Sequence, residues 1–145
     1  MRGLEKRKAW DTVALIIWTN DYRVGVESLD DDHILIFSLV NHIDDAHLMG
    51  TDEKTIGEIL KVLIDQTMAH FQREEMLMKK KEFPDLDTHT NEHRNIIKEL
   101  QSFYDTYQDN PSAAISGEIV KMLSAWLEEH VLKTDMRYGP YLSES

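Results

Sequence analysis

Seven residues of this chain have types and spacings that suit metal chemistry: His33, His70, Glu74, His89, His93, His130 and Asp135. His70 and Glu74 stand four apart, as do His89 and His93, so on a helix each pair points the same way, one turn apart. His33 opens one apolar stripe, and His130 closes another with Asp135 just beyond it. A carboxylate buried beside imidazoles is costly unless a cation compensates it. The stripes carry no Lys or Arg that could pair Glu74. A metal is the natural compensator, and neutral imidazole is its commonest ligand. Seven donors exceed the roughly four that one zinc takes, so two ions sharing carboxylates fit better. Mixed imidazole and carboxylate ligation suits iron, with manganese or zinc as substitutes. Few carboxylates stabilise highly oxidised iron poorly, which favours reversible binding over oxygen cleavage.

Positioning these groups takes four amphipathic stretches of helical period. The first carries His33, Ile36, Phe37, Val40 and Ile43, and the second runs from Ile56 through Leu60, Leu63, Thr67, His70 and Glu74 to Met78. The third runs from His89 and His93 through Ile96 and Leu100 to Tyr107; the fourth holds Ile115, Ile119, Met122, Leu123, Trp126 and His130. Turn signals at Gly50-Thr51-Asp52, Phe83-Pro84-Asp85 and Asn110-Pro111-Ser112 separate them, with Asp52 and Ser112 suited to cap the helices they precede. Short connections between long helices predict an all-α, up-down-up-down antiparallel four-helix bundle with an N-terminal arm.

Spacing brings the seven groups to one level. His33 and His70 are 37 residues apart with their midpoint in the first turn, and His93 and His130 are again 37 apart with theirs in the third. The midpoint between Glu74 and His89 falls in the Lys81–Asp85 turn. Equal lengths out and back return the chain to the same height, so all seven face inward at one end of the bundle. One step needs help: His130 and Asp135 are five apart, about 140° around an ideal helix, so a bulge or frayed end must bring Asp135 round. His42 and His47 fall toward the far end, as surface or rim residues, and Asp30-Asp31-Asp32 reads as a helix-start cluster favoured by the dipole.

The His33, His70-x-x-x-Glu74, His89-x-x-x-His93 and His130-x-x-x-x-Asp135 set resembles the ligand set of the hemerythrins. Trp18 with Gly25-Val26 and Leu29-Asp30-x-x-His33 is similar to that family's N-terminal arm. His70-Phe71-x-x-Glu74-Glu75-x-x-Met78 and Trp126-Leu127-x-x-His130 are similar to its second- and fourth-helix signatures. The resemblance spans about residues 18–140, and the Tyr138-Gly139-Pro140 ending looks most like stand-alone bacteriohemerythrins.

The resemblance implies two non-haem iron ions joined by an oxo or hydroxo group. One would take His89, His93 and His130, the other His33 and His70, with Glu74 and Asp135 bridging. The iron with two histidines would keep an open position, where dioxygen takes one electron from each iron and a proton from the bridging hydroxide to become hydroperoxide, and is released on reversal. Ile36, Phe71, Trp126, Leu127 and Val131 would line an apolar oxygen pocket, a role compatible with plain core packing. The implied function is reversible dioxygen binding for storage, transport or delivery to an oxygen-consuming enzyme. Alternatives are an oxygen or redox sensing module with a signalling partner, or a centre reactive toward peroxide or nitric oxide. No added general acid favours turnover, so the expectation is a binding protein and not an enzyme.

Composition narrows the partners. The 145 residues suit one domain, and 16 Lys+Arg against 27 Asp+Glu give a net charge of −11. That balance argues against nucleic acid and anionic membrane. With no cysteine, disulfides and thiolate-held metals are excluded. Residues 1–17 read as a short basic and apolar extension, and 18–145 as the bundle domain. The apolar run Val13-Ala14-Leu15-Ile16-Ile17-Trp18 is too short for a secretory core (~7–15 residues plus a cleavage site) or a membrane span (~20), which predicts a cytoplasmic protein.

Overall fold

The computed structural model describes residues 17–111 and 113–142, with side chains placed except at 113–117, 119 and 120. The expectations for the 1–17 extension (Ile17 apart), for Ser112 as a cap, and for the Ile115 and Ile119 side chains lie outside the described residues. Four long helices make up the body: α1 (Glu27–Leu48), α2 (Glu53–Lys80), α3 (Leu86–Asp109) and α4 (Ala113–Glu129). A one-turn helix, α5 (Gly139–Leu142), follows, and no strand occurs among the described residues. Each long helix packs on its neighbours in chain order, and α4 returns to α1, as an up-down-up-down bundle requires.

The turns form where local chemistry demands. At the end of α1, Gly50 takes the left-handed conformation (φ +73°) that costs glycine nothing. Thr51 N–H then donates to the Ala46 carbonyl at 2.9 Å, satisfying an end-of-helix acceptor. Asp52 caps α2 as its type predicts, accepting the Thr55 N–H and the Thr55 hydroxyl, both at 2.9 Å. The α2–α3 turn repeats the α1 device, with Phe83 N–H on the Met78 carbonyl at 2.9 Å.

The apolar stripes meet along the axis in one core that includes Phe37, Val40, Ile43, Leu60, Leu63, Ile64, Leu100, Tyr107 and Leu123. A second, smaller cluster of Val24, Leu29, Met78, Phe83, Tyr138 and Leu142 closes one end. There the N-terminal arm meets the C-terminal turn: a Cβ on Gly139 would lie 2.6 Å from the Val24 carbonyl oxygen. Val24 N–H also donates to buried Asp30 at 2.8 Å, which ties the arm to α1. No helix among the described residues is long and apolar enough to cross a membrane.

Candidate metal centre

Beneath that closed end lie all seven residues singled out above. His33 comes from the second turn of α1, His70 and Glu74 from α2, and His89 and His93 from the first two turns of α3. His130 opens a π-helical segment, His130–Thr134, and Asp135 opens the 3-10 turn that follows it, Asp135–Arg137. The Asp135 N–H bonds to the His130 carbonyl, five residues back instead of four. This wider turn is the bulge that the five-residue spacing calls for, and it returns Asp135 to the face of His130. None of the seven is more than 3 % exposed.

The seven split into two sets of atoms that each converge: Glu74, His89, His93, His130 and Asp135 in one, His33, His70, Glu74 and Asp135 in the other. Each carboxylate offers one oxygen to each set. Glu74 Oε1 lies 3.1 Å from His93 Nε2, while its Oε2 lies 3.0 Å from His70 Nε2 and 3.4 Å from His33 Nε2. Asp135 Oδ1 lies 3.0 Å from the Nε2 atoms of both His89 and His130, and its Oδ2 3.1 Å from that of His33. Yet all five Nε2 atoms, Glu74 Oε1 and both Asp135 oxygens are buried without a hydrogen bond among the described residues. Donor atoms that crowd together without aligning on each other are aimed at shared points between them. A divalent cation at each point satisfies them all.

Without metal the cluster must hold its own charge. Burial opposes protonation of His33 and His130, but Asp135 and Glu74 outweigh it, raising His33 to about 9 and His130 to about 10. Burial likewise opposes ionisation of Glu74 and Asp135, and the facing imidazoles hold both below the ordinary carboxylate range. Metal therefore enters by displacing protons from imidazoles.

Residues 24–142 match the family model described as the hemerythrin HHE cation binding domain. The chain belongs to the hemerythrin family. It is 32% identical to the bacteriohemerythrin of Methylococcus capsulatus, over 90% of this chain and 99% of that one. It is 29% identical to the myohemerythrin of Theromyzon tessulatum, over 83% and 88%. A crystal structure of wild-type hemerythrin superposes with a TM-score of 0.83 at 31% identity, covering 90% of this chain and all of that one. Hemerythrins bind dioxygen at a di-iron centre, and the buried histidine and carboxylate cluster here can hold such a pair.

Around this hemerythrin cluster stand groups whose part the spacing analysis missed. His70 Nδ1 bonds Asp32 at 2.9 Å, His93 Nδ1 bonds Glu75 at 2.8 Å, and His130 Nδ1 bonds Glu92 at 3.3 Å. The buried Tyr138 hydroxyl donates to Glu74 Oε2. The helix-start reading of Asp30-Asp31-Asp32 is thus too plain: Asp30 anchors the arm, and Asp32 reaches across to α2, where Arg73 grips it with two bonds at 2.8 Å. The one available signal was adjacency, since Asp32, Glu75 and Glu92 each neighbour a cluster residue in the chain.

Among the residues expected to line the pocket, Ile36, Phe71, Leu127 and Val131 are buried in the main core, with Trp126 packed against it. Phe71 stacks on His93 with ring centroids 3.7 Å apart, and Trp126 stacks on His130 at 5.6 Å. On the other side, Trp18 and Phe37 pack together at 5.2 Å, and Trp18 lies 6.4 Å from His33. His42 is exposed and His47 half-buried, both in the half of α1 remote from the cluster.

Proposed function

We propose that this hemerythrin takes His89, His93 and His130 on one iron and His33 and His70 on the other, shares Glu74 and Asp135 between them, and binds dioxygen reversibly as a carrier or store. The observation that carries the reading is the division of seven buried donors into two convergent sets with both carboxylates in common. Bound iron supplies the electrons and the vacant coordination position that dioxygen needs. Holding metal, the five-donor set would leave less room for a further ligand than the four-donor set, so dioxygen would be taken up beside His33 and His70. Ile36, Phe71, Trp126, Leu127 and Val131 keep water from the site, which slows loss of bound oxygen in reduced form. Tyr138 steadies Glu74, and the Nδ1 partners of His70, His93 and His130 fix the tautomers that leave their Nε2 atoms free to ligate.

Binding without turnover and a cytoplasmic location belong to the same proposal, as does a domain at 18–145 preceded by an extension at 1–17 that the oxygen chemistry does not need. An optical spectrum of ferrous-loaded protein, anaerobic and then aerated, tests the function, with iron counted per chain. Two irons and a visible charge-transfer band that disappears on deoxygenation are expected. Irreversible passage to a ferric spectrum would instead favour redox sensing or peroxide chemistry. Deleting residues 1–12 should leave that band unchanged; loss of a protein partner on the same deletion would favour sensing or delivery to a partner.

A further inference from the structure

We infer that carboxylates outside the cluster seat its two metal positions unequally, so that the position at His33 and His70 fills last and empties first. The inference rests on the reading that the cluster holds two metals.

The outer carboxylates form an interlocking pattern. Asp32, beside His33 on α1, holds His70 on α2; Glu75, beside Glu74 on α2, holds His93 on α3. Glu92, beside His93 on α3, holds His130 at the end of α4. A carboxylate on Nδ1 fixes the ring and its tautomer and makes Nε2 a stronger donor. This support is unevenly shared. In the three-histidine set, His93 and His130 each have a carboxylate; Glu92 also accepts the neutral Thr134 hydroxyl at 2.9 Å, but neither Glu75 nor Glu92 pairs with Lys or Arg among the described residues.

The two-histidine set is poorer on both counts. Asp32 divides its charge between His70 and the two-pronged grip of Arg73, so less of it reaches the imidazole. His33 Nδ1 is buried with no hydrogen-bond partner among the described residues. Ligand number and outer support therefore point the same way. Asp32, Glu75 and Glu92 are positioning residues, each acting on one metal position through one histidine.

The test loads two ferrous ions without oxygen, adds excess chromophoric chelator, and follows release by absorbance while native mass spectrometry counts the irons that remain. Two phases of one iron each are expected, at least about tenfold apart, with a one-iron species between them. His33→Ala should hold one iron and lack the fast phase. Asp32→Asn keeps an acceptor for the Nδ1–H and drops the charge; it should speed the fast phase about 10–100-fold and leave the slow one alone. Glu75→Gln should do the reverse. Thermal unfolding of the metal-free variants runs alongside, because a purely structural role would lower the melting temperature and move both phases together. Release of both irons in one phase, or equal effects of Asp32→Asn on both, overturns the inference and leaves the two-metal reading standing. Failure of the parent protein to load two irons overturns that reading itself.

Discussion

Tyr138 is fully buried, and its hydroxyl serves a carboxylate that has no Lys or Arg partner among the described residues. Burial, with Glu74 close by, pushes the phenol well above its ordinary value, so it stays a neutral donor. Tyr138→Phe removes only that donor and should cost the metal-free protein about 1.5–3 kcal/mol, read from urea unfolding. A second expectation concerns pH. Below 6.5 an imidazole is protonated in both states, so the stabilisation from raised His33 and His130 is fully present. It drains away as pH climbs from 6.5 through about 9 and about 10. Glu74 and Asp135 act oppositely, because they are held low: their contribution is present above 4.5 and 3.8 respectively and is lost as pH falls. The metal-free bundle should therefore be most stable between 4.5 and 6.5. Denaturant midpoints measured across pH would contradict this by staying flat. The seven cluster residues are legible in the sequence because a polar group on an apolar stripe needs a reason to be there. Asp32, Glu75 and Glu92 are not, because each passes for a solvated acid, and its histidine lies 38, 18 or 38 residues away in the chain.

Helices and turns follow from hydrophobic period and from Gly, Pro and Asp signals, which give the order of α1 to α4 and the cap of α2; α1 itself starts at Glu27, six residues before His33, so Leu29 and Asp30, read with the arm, belong to the helix. The π segment is not readable in this way, since one extra residue does not disturb the stripe before it; only the five-residue gap between His130 and Asp135 hints at it. Its geometry yields a paired expectation. Deleting exposed Lys133 turns the segment into a regular α turn with the two ligands four apart, still on one face. That variant should keep two metals and its helical circular dichroism. Inserting one alanine after Lys133 instead swings Asp135 by about 100° and should leave fewer than two metals bound. If the deletion loses metal as readily as the insertion does, the wide turn itself, and not the facing of its ends, is what the site needs.

The molecule as a whole is a bundle with two unlike ends: one closed by plain turns, the other by the arm and the C-terminal turn folded over the cluster. Gly139 passes close to Val24 in that closure, and it is backbone that a side chain there would meet. Gly139→Ala should cost about 1–3 kcal/mol, as overpacking does, and should speed metal release, both measured against the parent by unfolding and by chelator competition. The bundle is readable from composition and pattern; this closure is not, because it joins backbone segments more than a hundred residues apart and leaves no periodic trace. The same spread of the cluster along the chain bears on how the protein is made. Translation delivers the N-terminus first, so His33 emerges about a hundred residues before Asp135. A nascent chain can offer metal a growing set of loose imidazoles but cannot close either set until Asp135 is out and the final turn has folded over it. Firmly held metal thus requires a chain made through Asp135, the last residue that both donor sets share.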